Sequence, residues 1–311
     1  MRQTFGKRVS LCHTSMKINK HCFPNGLRLV HYEDTSTQMV ALNIVYDVGA
    51  RDEHPEHTGF AHLFEHLMFG GSAHIPDYDT PLQLAGGENN AWTNNDITNY
   101  YLTVPKPNVE TAFWLESDRM LELAFSEQSL EVQRGVVMEE FKQRCLNQPY
   151  GDVGHLFRPL AFRVHPYRWP TIGKELSHIE QATLDEVKSF FYRFYAPNNA
   201  VLAVTGNISW DETVKLTEKW FAPIPPAGRS GEAIAAGAGA NAGTPADGRK
   251  KRAAGRLVHG LSHVQSRGCG LLRIRYSVRY SQQRTFQPFE SPLGTGTEYL
   301  FRYRRVHQRY A

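Results

Sequence analysis

The sequence predicts an α+β domain built from packed layers of helices and sheet. Three observations lead to this prediction: apolar runs of strand type near the start, helical spacing of apolar residues further along, and an irregular alternation of strands and helices that ends near Phe221. The chain has 311 residues, of which 41% are hydrophobic. This content is ample for a core and excludes disorder throughout the chain.

The first predicted elements are two strands, a helix and a further strand region. Residues 23–26 (Phe-Pro-Asn-Gly) form a turn signal, and residues 27–32 and 39–48 are apolar, β-branched runs that suit strands. Apolar residues then recur at helical spacing until Gly70 ends the pattern. Two more glycines precede residues 90–104, which suit a strand region.

Four helices and one strand are predicted later in the chain, and one of these helices starts at Ser129. Residues 109–123 suit a helix with Asn108 as its N-cap. Residues 183–186 and 209–212 fit capping boxes, in which a hydroxyl and a carboxylate satisfy free amides at a helix start. Residues 200–204 lie between these two helices and have the composition of a buried strand.

We expect three segments: an N-terminal extension (1–20), a folded domain (21–226) and a tail (227–311). The tail begins with a Gly- and Ala-rich stretch that has neither periodicity nor bulk to bury, so we expect it to be disordered. It carries 15 basic and 4 acidic residues, a formal charge of +11, whereas residues 1–226 carry −7. The net charge of +4 therefore averages two chemically different segments and says nothing about partners.

The sequence also bears on location and on cysteine chemistry. It contains no apolar run of the roughly 20 residues that span a bilayer, and its first residues lack the apolar segment of a secretory signal. We therefore expect a cytoplasmic protein without membrane contact. The four cysteines form no CxxC pair, which argues against a disulfide framework and against a cysteine zinc cluster.

The sharpest chemical feature is the pentapeptide that begins at His62, His-Leu-Phe-Glu-His. On a helix, His62, Glu65 and His66 lie on one face, opposite the apolar residues. Two histidines one turn apart can bind a single ion, and a glutamate beside them can deprotonate a metal-bound water. Short motifs also arise by chance, and the alternative is two histidines in polar contacts on a buried helix.

A third ligand is needed, because catalytic zinc usually takes three protein ligands and keeps one position open. The helix predicted from Ser129 offers Glu139 and Glu140. Glu140 shares a face with Gln133 and Arg144, whereas Glu139 points about 100° away, so one of the two glutamates can face the site. The alternative is that both glutamates lie on a solvated helix surface.

Together these residues resemble the pitrilysin/insulinase/mitochondrial processing peptidase family of zinc endopeptidases, the inverzincins, whose motif is H-x-x-E-H. The resemblance runs from about Phe23 to Phe221. It also rests on the segments 25–28 (NGLR), 48–53 (VGARDE), 59–62 (GFAH), 90–93 (NAWT), 98–101 (TNYY) and 204–208 (VTGNI). It implies a two-layer sandwich of a mixed or antiparallel sheet with helices packed on one face.

The resemblance also implies an activity. By it, His62, His66 and Glu140 bind one Zn²⁺ per chain, and Glu65 is the general base that activates the zinc-bound water for peptide hydrolysis. The expected substrate is a peptide or an unfolded polypeptide.

Three further residues take an interpretation from the family. Asn90 and Ala91 fall where family members engage extended substrate backbone by β-augmentation, the alternative being plain sheet structure. Many members have a glutamate seven residues before the ligand glutamate, and here that position is Gln133. A neutral amide can hydrogen-bond a nearby group but adds no negative charge to the site.

Full-length members of the family continue into a second domain of similar fold, which closes over the substrate. Residues 227–311 do not resemble that domain. The implied partner is therefore a second homologous domain or chain. The alternative function is an inactive metal-binding fragment or a structural subunit of a peptidase complex.

The basic tail allows two interpretations. Arginines interleaved with aromatic residues suit nucleic acid, but basic composition without an element pattern is weak evidence, and we expect no nucleic-acid partner. Back-translation instead favours a frameshift, because residues 270–290 conceal AYYAFDILSDILSNGRSSRL in the adjacent frame, and its ending resembles the family's second domain. We expect the ancestral frame to be lost between about Pro226 and Gly270.

Overall fold

The computed structural model describes residues 17–228, 261–265 and 273–277. The strands of the first range are β1 (Asn19–Cys22), β2 (Arg28–Glu33), β3 (Met39–Tyr46), β4 (Glu88–Thr93), β5 (Thr98–Pro105) and β6 (Ala200–Gly206). They form one sheet in the order β1-β2-β6-β3-β5-β4. The pair β2–β6 is parallel and the other neighbours are antiparallel, so the sheet is mixed.

Eight α-helices accompany this sheet in the described part of the chain. They are α1 (Phe60–Leu67), α2 (Asp79–Leu84), α3 (Val109–Leu121), α4 (Glu127–Phe141), α5 (Val153–Ala161), α6 (Leu176–Glu180), α7 (Leu184–Phe194) and α8 (Trp210–Phe221). A π-helical turn, Lys142–Leu146, continues α4. Each of these helices is too short or too polar to cross a membrane.

Burial alternates along the strands, which defines a core face of the sheet. On β3, the side chains of Val40, Leu42, Ile44 and Tyr46 are buried, and those between them are partly exposed. The apolar faces of α1, α3, α7 and α8 contribute to the same core cluster. The predicted two-layer α+β sandwich with helices on one face is confirmed.

A buried ion pair lies within this core. Arg119 of α3 donates from Nε to Glu116 Oε2 at 2.9 Å and from Nη2 to the same oxygen at 2.7 Å, and both side chains are at most 2% exposed. The guanidinium lies over the rings of Tyr78 and Tyr100, 4.6 and 4.5 Å from their centroids. Because the Tyr100 hydroxyl donates to the carbonyl of Phe64 at 3.3 Å, the ion pair supports α1.

The helix starts agree with the sequence in part. The capping box of Thr183 with Glu186 is present, and Ser209 accepts a hydrogen bond from the amide of Glu212, one of the two bonds of the second box. Asn108 occupies the predicted N-cap position of α3, but its side chain makes no cap hydrogen bond and instead donates to the carbonyl of Ala85 at 2.9 Å.

Other boundaries differ as well. α4 begins two residues before Ser129, with the hydroxyl of Ser126 as the cap that accepts from the Ser129 amide. The strand β1 begins at Asn19, two residues before the predicted domain start, and pairs with β2. The sequence pattern gave no indication of α2, α5 and α6.

The predictions for the two ends fall largely outside the described residues. Of the N-terminal extension, residues 1–16 are not described, and of the tail only 227–228, 261–265 and 273–277 are. The tail contains β7 (Leu261–Gln265) and β8 (Arg273–Ser277), which pair with each other antiparallel. Disorder of the tail and the change of reading frame stay predictions.

Candidate metal centre

The motif helix α1 is fixed by its apolar side. Leu63 and Phe64 are fully buried, and the Phe64 ring stacks on Phe190 and Tyr195 at centroid distances of 5.0 and 5.2 Å. Because these side chains point into the core, helical geometry directs the side of α1 that carries His62 and His66 away from it. The imidazoles of His62 and His66 consequently lie side by side, with ring centroids 5.0 Å apart.

Glu140 reaches the two histidines from α4, which packs beside α1. Its Oε2 lies 3.3 Å from Nε2 of His62 and 3.5 Å from Nε2 of His66. Among the described residues, these three form the one group of His, Cys, Asp or Glu that could hold a metal ion, with all ligand atoms within 4.8 Å of one another. The neighbouring Glu139 is 63% exposed and pairs with Lys142 at 2.6 Å.

The second carboxylate oxygen of Glu140 is held by a cation. Oε1 lies 2.6 Å from Nη2 of Arg144, one helical turn further on. The hydrogen bond with His62 is the main reason that the pKa of Glu140 is lowered to about 2, with Arg144 and His66 contributing. Burial, and then the proximity of His62, lower the pKa of His66. Glu140 is therefore a carboxylate and His66 a neutral imidazole near pH 7, the forms that bind metal ions.

The donor set fits a zinc ion. Two imidazole nitrogens and one carboxylate oxygen lie within 4.8 Å of one another, a donor set that one cation can share. The Nδ1 atom of His62 is buried and has no hydrogen-bond partner in the described structure, so the polar contact of this ring is made by Nε2, the atom that faces Glu140. Catalytic zinc sites use such a three-ligand set and leave one position open.

Glu65 lies on the same side of α1 as the ligands and is partly exposed. The pKa of His66 is lowered, mainly by burial, and the negative charge of Glu65 partly opposes this lowering. It also adds to the raised pKa of Tyr195, for which burial is the main cause. The Glu65 carboxylate is thus close to the ligand cluster, although it is not one of the three converging groups.

The other three predicted residues, Asn90, Ala91 and Gln133, are not members of the converging group. Asn90 and Ala91 are on β4, an edge strand that packs against α1, and Asn90 Oδ1 accepts from the amide of Ala91 at 2.8 Å. Gln133 lies two turns before Glu140 on α4 and is partly exposed. The structure therefore brings His62, His66 and Glu140 together, and the other predicted site residues are not part of that group.

The fold and the site together define a class of protein. An α+β domain in which two histidines of an H-x-x-E-H helix converge with a glutamate of a neighbouring helix fits the inverzincin metallopeptidases, which carry this motif. Residues 28–153 match the family described as insulinase (peptidase family M16), and residues 181–253 match the peptidase M16 inactive domain. The chain belongs to peptidase family M16.

Named relatives agree with this assignment. The zinc protease PqqE of Helicobacter pylori is 31% identical over 215 residues, which are 67% of this chain and 48% of the relative. The uncharacterized zinc protease YmxG of Bacillus subtilis is 29% identical over 206 residues, 66% of this chain and 50% of the relative. The chain spans about half the length of the curated relatives it matches.

Solved structures are similar over the same region. A protease from Helicobacter pylori gives a TM-score of 0.65 at 30% identity, covering 71% of this chain and 53% of that one. Pitrilysin gives a TM-score of 0.63 at 19% identity, covering 72% of this chain and 24% of that one, which shows the fold alone. A peptidase M16 inactive domain from Pseudomonas fluorescens also shares the fold, with a TM-score of 0.65 at 19% identity over 72% of this chain and 54% of that one.

Proposed function

We propose that this chain is the metal-binding half of a zinc-dependent endopeptidase that hydrolyses peptides or unfolded polypeptides. The observation that carries the proposal is the convergence of His62, His66 and Glu140, from two helices, on one point. Membership of peptidase family M16 and the naming of relatives as zinc proteases support it. One Zn²⁺ per chain is held by these three residues.

The proposed chemistry divides between the ion and the chain. A bound Zn²⁺ supplies a Lewis acid that polarises a peptide carbonyl and makes water more acidic. Glu65 takes a proton from the attacking water and passes it to the leaving amine, as a general base and then a general acid. Arg144 fixes the carboxylate of Glu140 through its other oxygen, so that Oε2 stays directed at the histidines.

The substrate is proposed to bind along β4. An extended peptide can add to a free sheet edge, where backbone hydrogen bonds give affinity with limited sequence preference. β4 is such an edge, and it lies against the motif helix. In the structure the Asn90 side chain holds the Ala91 amide, so we propose that it turns away when the substrate strand binds.

A second domain is proposed to complete the enzyme. The proposed folded domain is the predicted range 21–226 with its start moved to Asn19, where β1 begins, and a tail at 227–311 follows it. The relatives are about twice as long as the matched region, and a family inactive domain shares the fold of this chain. We infer that a second domain or chain of this fold closes over the substrate.

The change of reading frame in the tail is tested by the coding DNA, because stop codons in the adjacent frame over 270–290 would exclude it.

Cleavage of an unfolded peptide by the purified chain tests the proposal. We expect zinc to co-purify, a chelator to block cleavage, and Glu65→Gln to lower kcat by about 10²–10⁴-fold with zinc retained. Glu139→Gln is the matched control, because that glutamate is exposed and paired with Lys142. The assay is run with and without a separately supplied M16 inactive domain. Full activity of Glu65→Gln would contradict the assigned role, and zinc binding without cleavage in either arm would support the non-catalytic alternative.

A further inference from the structure

The motif helix α1 has no N-terminal cap of its own. It is only eight residues long, and its N-cap position is Gly59, which has φ +91° and no side chain to accept hydrogen bonds. The first amides of a helix have no partner within the helix and need acceptors from elsewhere. A side chain at position 59 would be strained by the positive φ, and its Cβ would lie 3.1 Å from the carbonyl oxygen of Ile172.

Glu53 supplies the missing acceptors. Its Oε2 accepts from the amide of Gly59 at 2.9 Å, and its Oε1 accepts from the amide of Ala61 at 2.9 Å. The residue is 6% exposed, and burial raises the pKa of its carboxyl group although the two amides oppose the rise. Burial of an acidic side chain costs free energy, and most helices are instead capped by Ser, Thr, Asp or Asn at the N-cap position.

The segment that carries Glu53 is itself anchored. Asp52 accepts from the amide of Gly49 at 3.0 Å, and the Trp169 indole donates to the carbonyl of Ala50 at 2.7 Å. Beyond Glu53, the hydroxyl of Thr58 lies 2.9 Å from Nδ1 of His178. Glu53 therefore joins two fixed points, the anchored segment before it and the first turn of α1.

The first turn of α1 also holds one of the metal ligands. His62 directly follows Ala61, whereas His66 lies one turn further on. The 3.3 Å approach of His62 to Glu140 therefore depends on the first turn staying closed. A frayed first turn would move His62 but leave His66 in place.

We propose that Glu53 is a positioning residue for the metal centre, which closes the first turn of α1 and so sets His62 against Glu140. The proposal rests on the proposed zinc function. It differs from general stabilisation in one respect: loss of Glu53 should disturb the first-turn ligand more than the second-turn ligand.

The test compares Glu53→Ala and Glu53→Gln with the wild-type full chain. We expect Zn²⁺ affinity, measured by competition with a chromogenic chelator, to fall about 10–100-fold in Glu53→Ala, as for other residues that orient metal ligands. Glu53→Gln should lie between the two, because its amide keeps one acceptor oxygen. The visible absorption of the Co²⁺-loaded protein should change in both variants. Ser209→Ala is the matched control, since it removes the cap of α8 without touching α1.

Metal-free measurements separate this proposal from the proposed function. We expect faster amide hydrogen exchange at Gly59 and Ala61, and a larger shift of the imidazole NMR signals of His62 than of His66. Unchanged exchange and unchanged His62 signals in folded Glu53→Gln would overturn the proposal, as would an equal loss of Zn²⁺ affinity in Ser209→Ala. A wild-type chain that binds no Zn²⁺ would instead contradict the proposed function.

Discussion

Replacement of Arg119 by Met should be among the most destabilising single changes in the domain. The substitution fills a similar volume but leaves Glu116 as a buried carboxyl group without its cation, and removal of one partner of a buried pair typically costs about 3–5 kcal/mol. The guanidinium also lies over Tyr78 and Tyr100, and each desolvated cation–π contact contributes up to about 2 kcal/mol. We therefore expect a loss of free energy of unfolding near the upper end of this range.

Urea unfolding followed by circular dichroism measures this loss. With an m-value of about 3 kcal/mol/M, a loss of about 3–5 kcal/mol lowers the midpoint by at least about 1 M. The double variant Glu116→Gln/Arg119→Met should recover part of the stability, because it removes the unpaired acid together with its partner. A loss under about 1 kcal/mol in Arg119→Met, or no recovery in the double variant, would refute the reasoning.

Three further predictions concern the site. Glu140→Gln should weaken Zn²⁺ binding by more than the ~10–100-fold typical of outer groups, whereas Glu139→Gln should leave it unchanged in a chelator competition. Ala91→Pro, at a sheet edge that tolerates proline, should raise KM for an extended peptide with zinc content unchanged; an unaltered KM would contradict binding along β4. Burial raises the pKa of Glu53 to about 8, so the native state keeps a proton that the unfolded state has lost above about pH 4.5. The free energy of unfolding should therefore decrease as pH rises from about 5 to 8, and this slope should be smaller in Glu53→Gln; equal slopes in urea titrations would contradict the shift.

The H-x-x-E-H motif and its shared helix face could be predicted from the sequence, but helical periodicity could not decide which glutamate is the third proposed ligand. Helical periodicity alone places His62, Glu65 and His66 on one face, and the structure agrees. The same reasoning offered Glu139 and Glu140 as alternatives, because which face of α4 meets α1 depends on tertiary packing. The fully buried Val137 directs that face, and Glu140 lies one turn further along it.

Other features of the fold could not be predicted from the sequence, because they depend on contacts between residues distant in the chain. Asn108 takes the N-cap position that Asn favours, but the carbonyl of Ala85, 23 residues earlier, competes for its side chain. α5 carries a proline at position 159 and has no buried residue, so it lacks the signal that marks a packed helix. Arg119 is a charged residue in a helix, and its burial depends on aromatic partners distant in sequence.

The position of β6 sets the order in which the domain can be completed during synthesis. This strand is the last of the main sheet in the chain, yet it lies between β2 and β3, which have no hydrogen bonds to each other in the sheet. All three proposed metal ligands precede Ala200 in the chain and are therefore synthesised before it. The antiparallel unit β3–β5–β4 can pair early, but β1 and β2 join it only through contacts of β6 that span more than 150 residues. Closure of such long loops is slow, so a nascent chain ending before Ala200 would carry the three proposed ligands while its sheet is still incomplete.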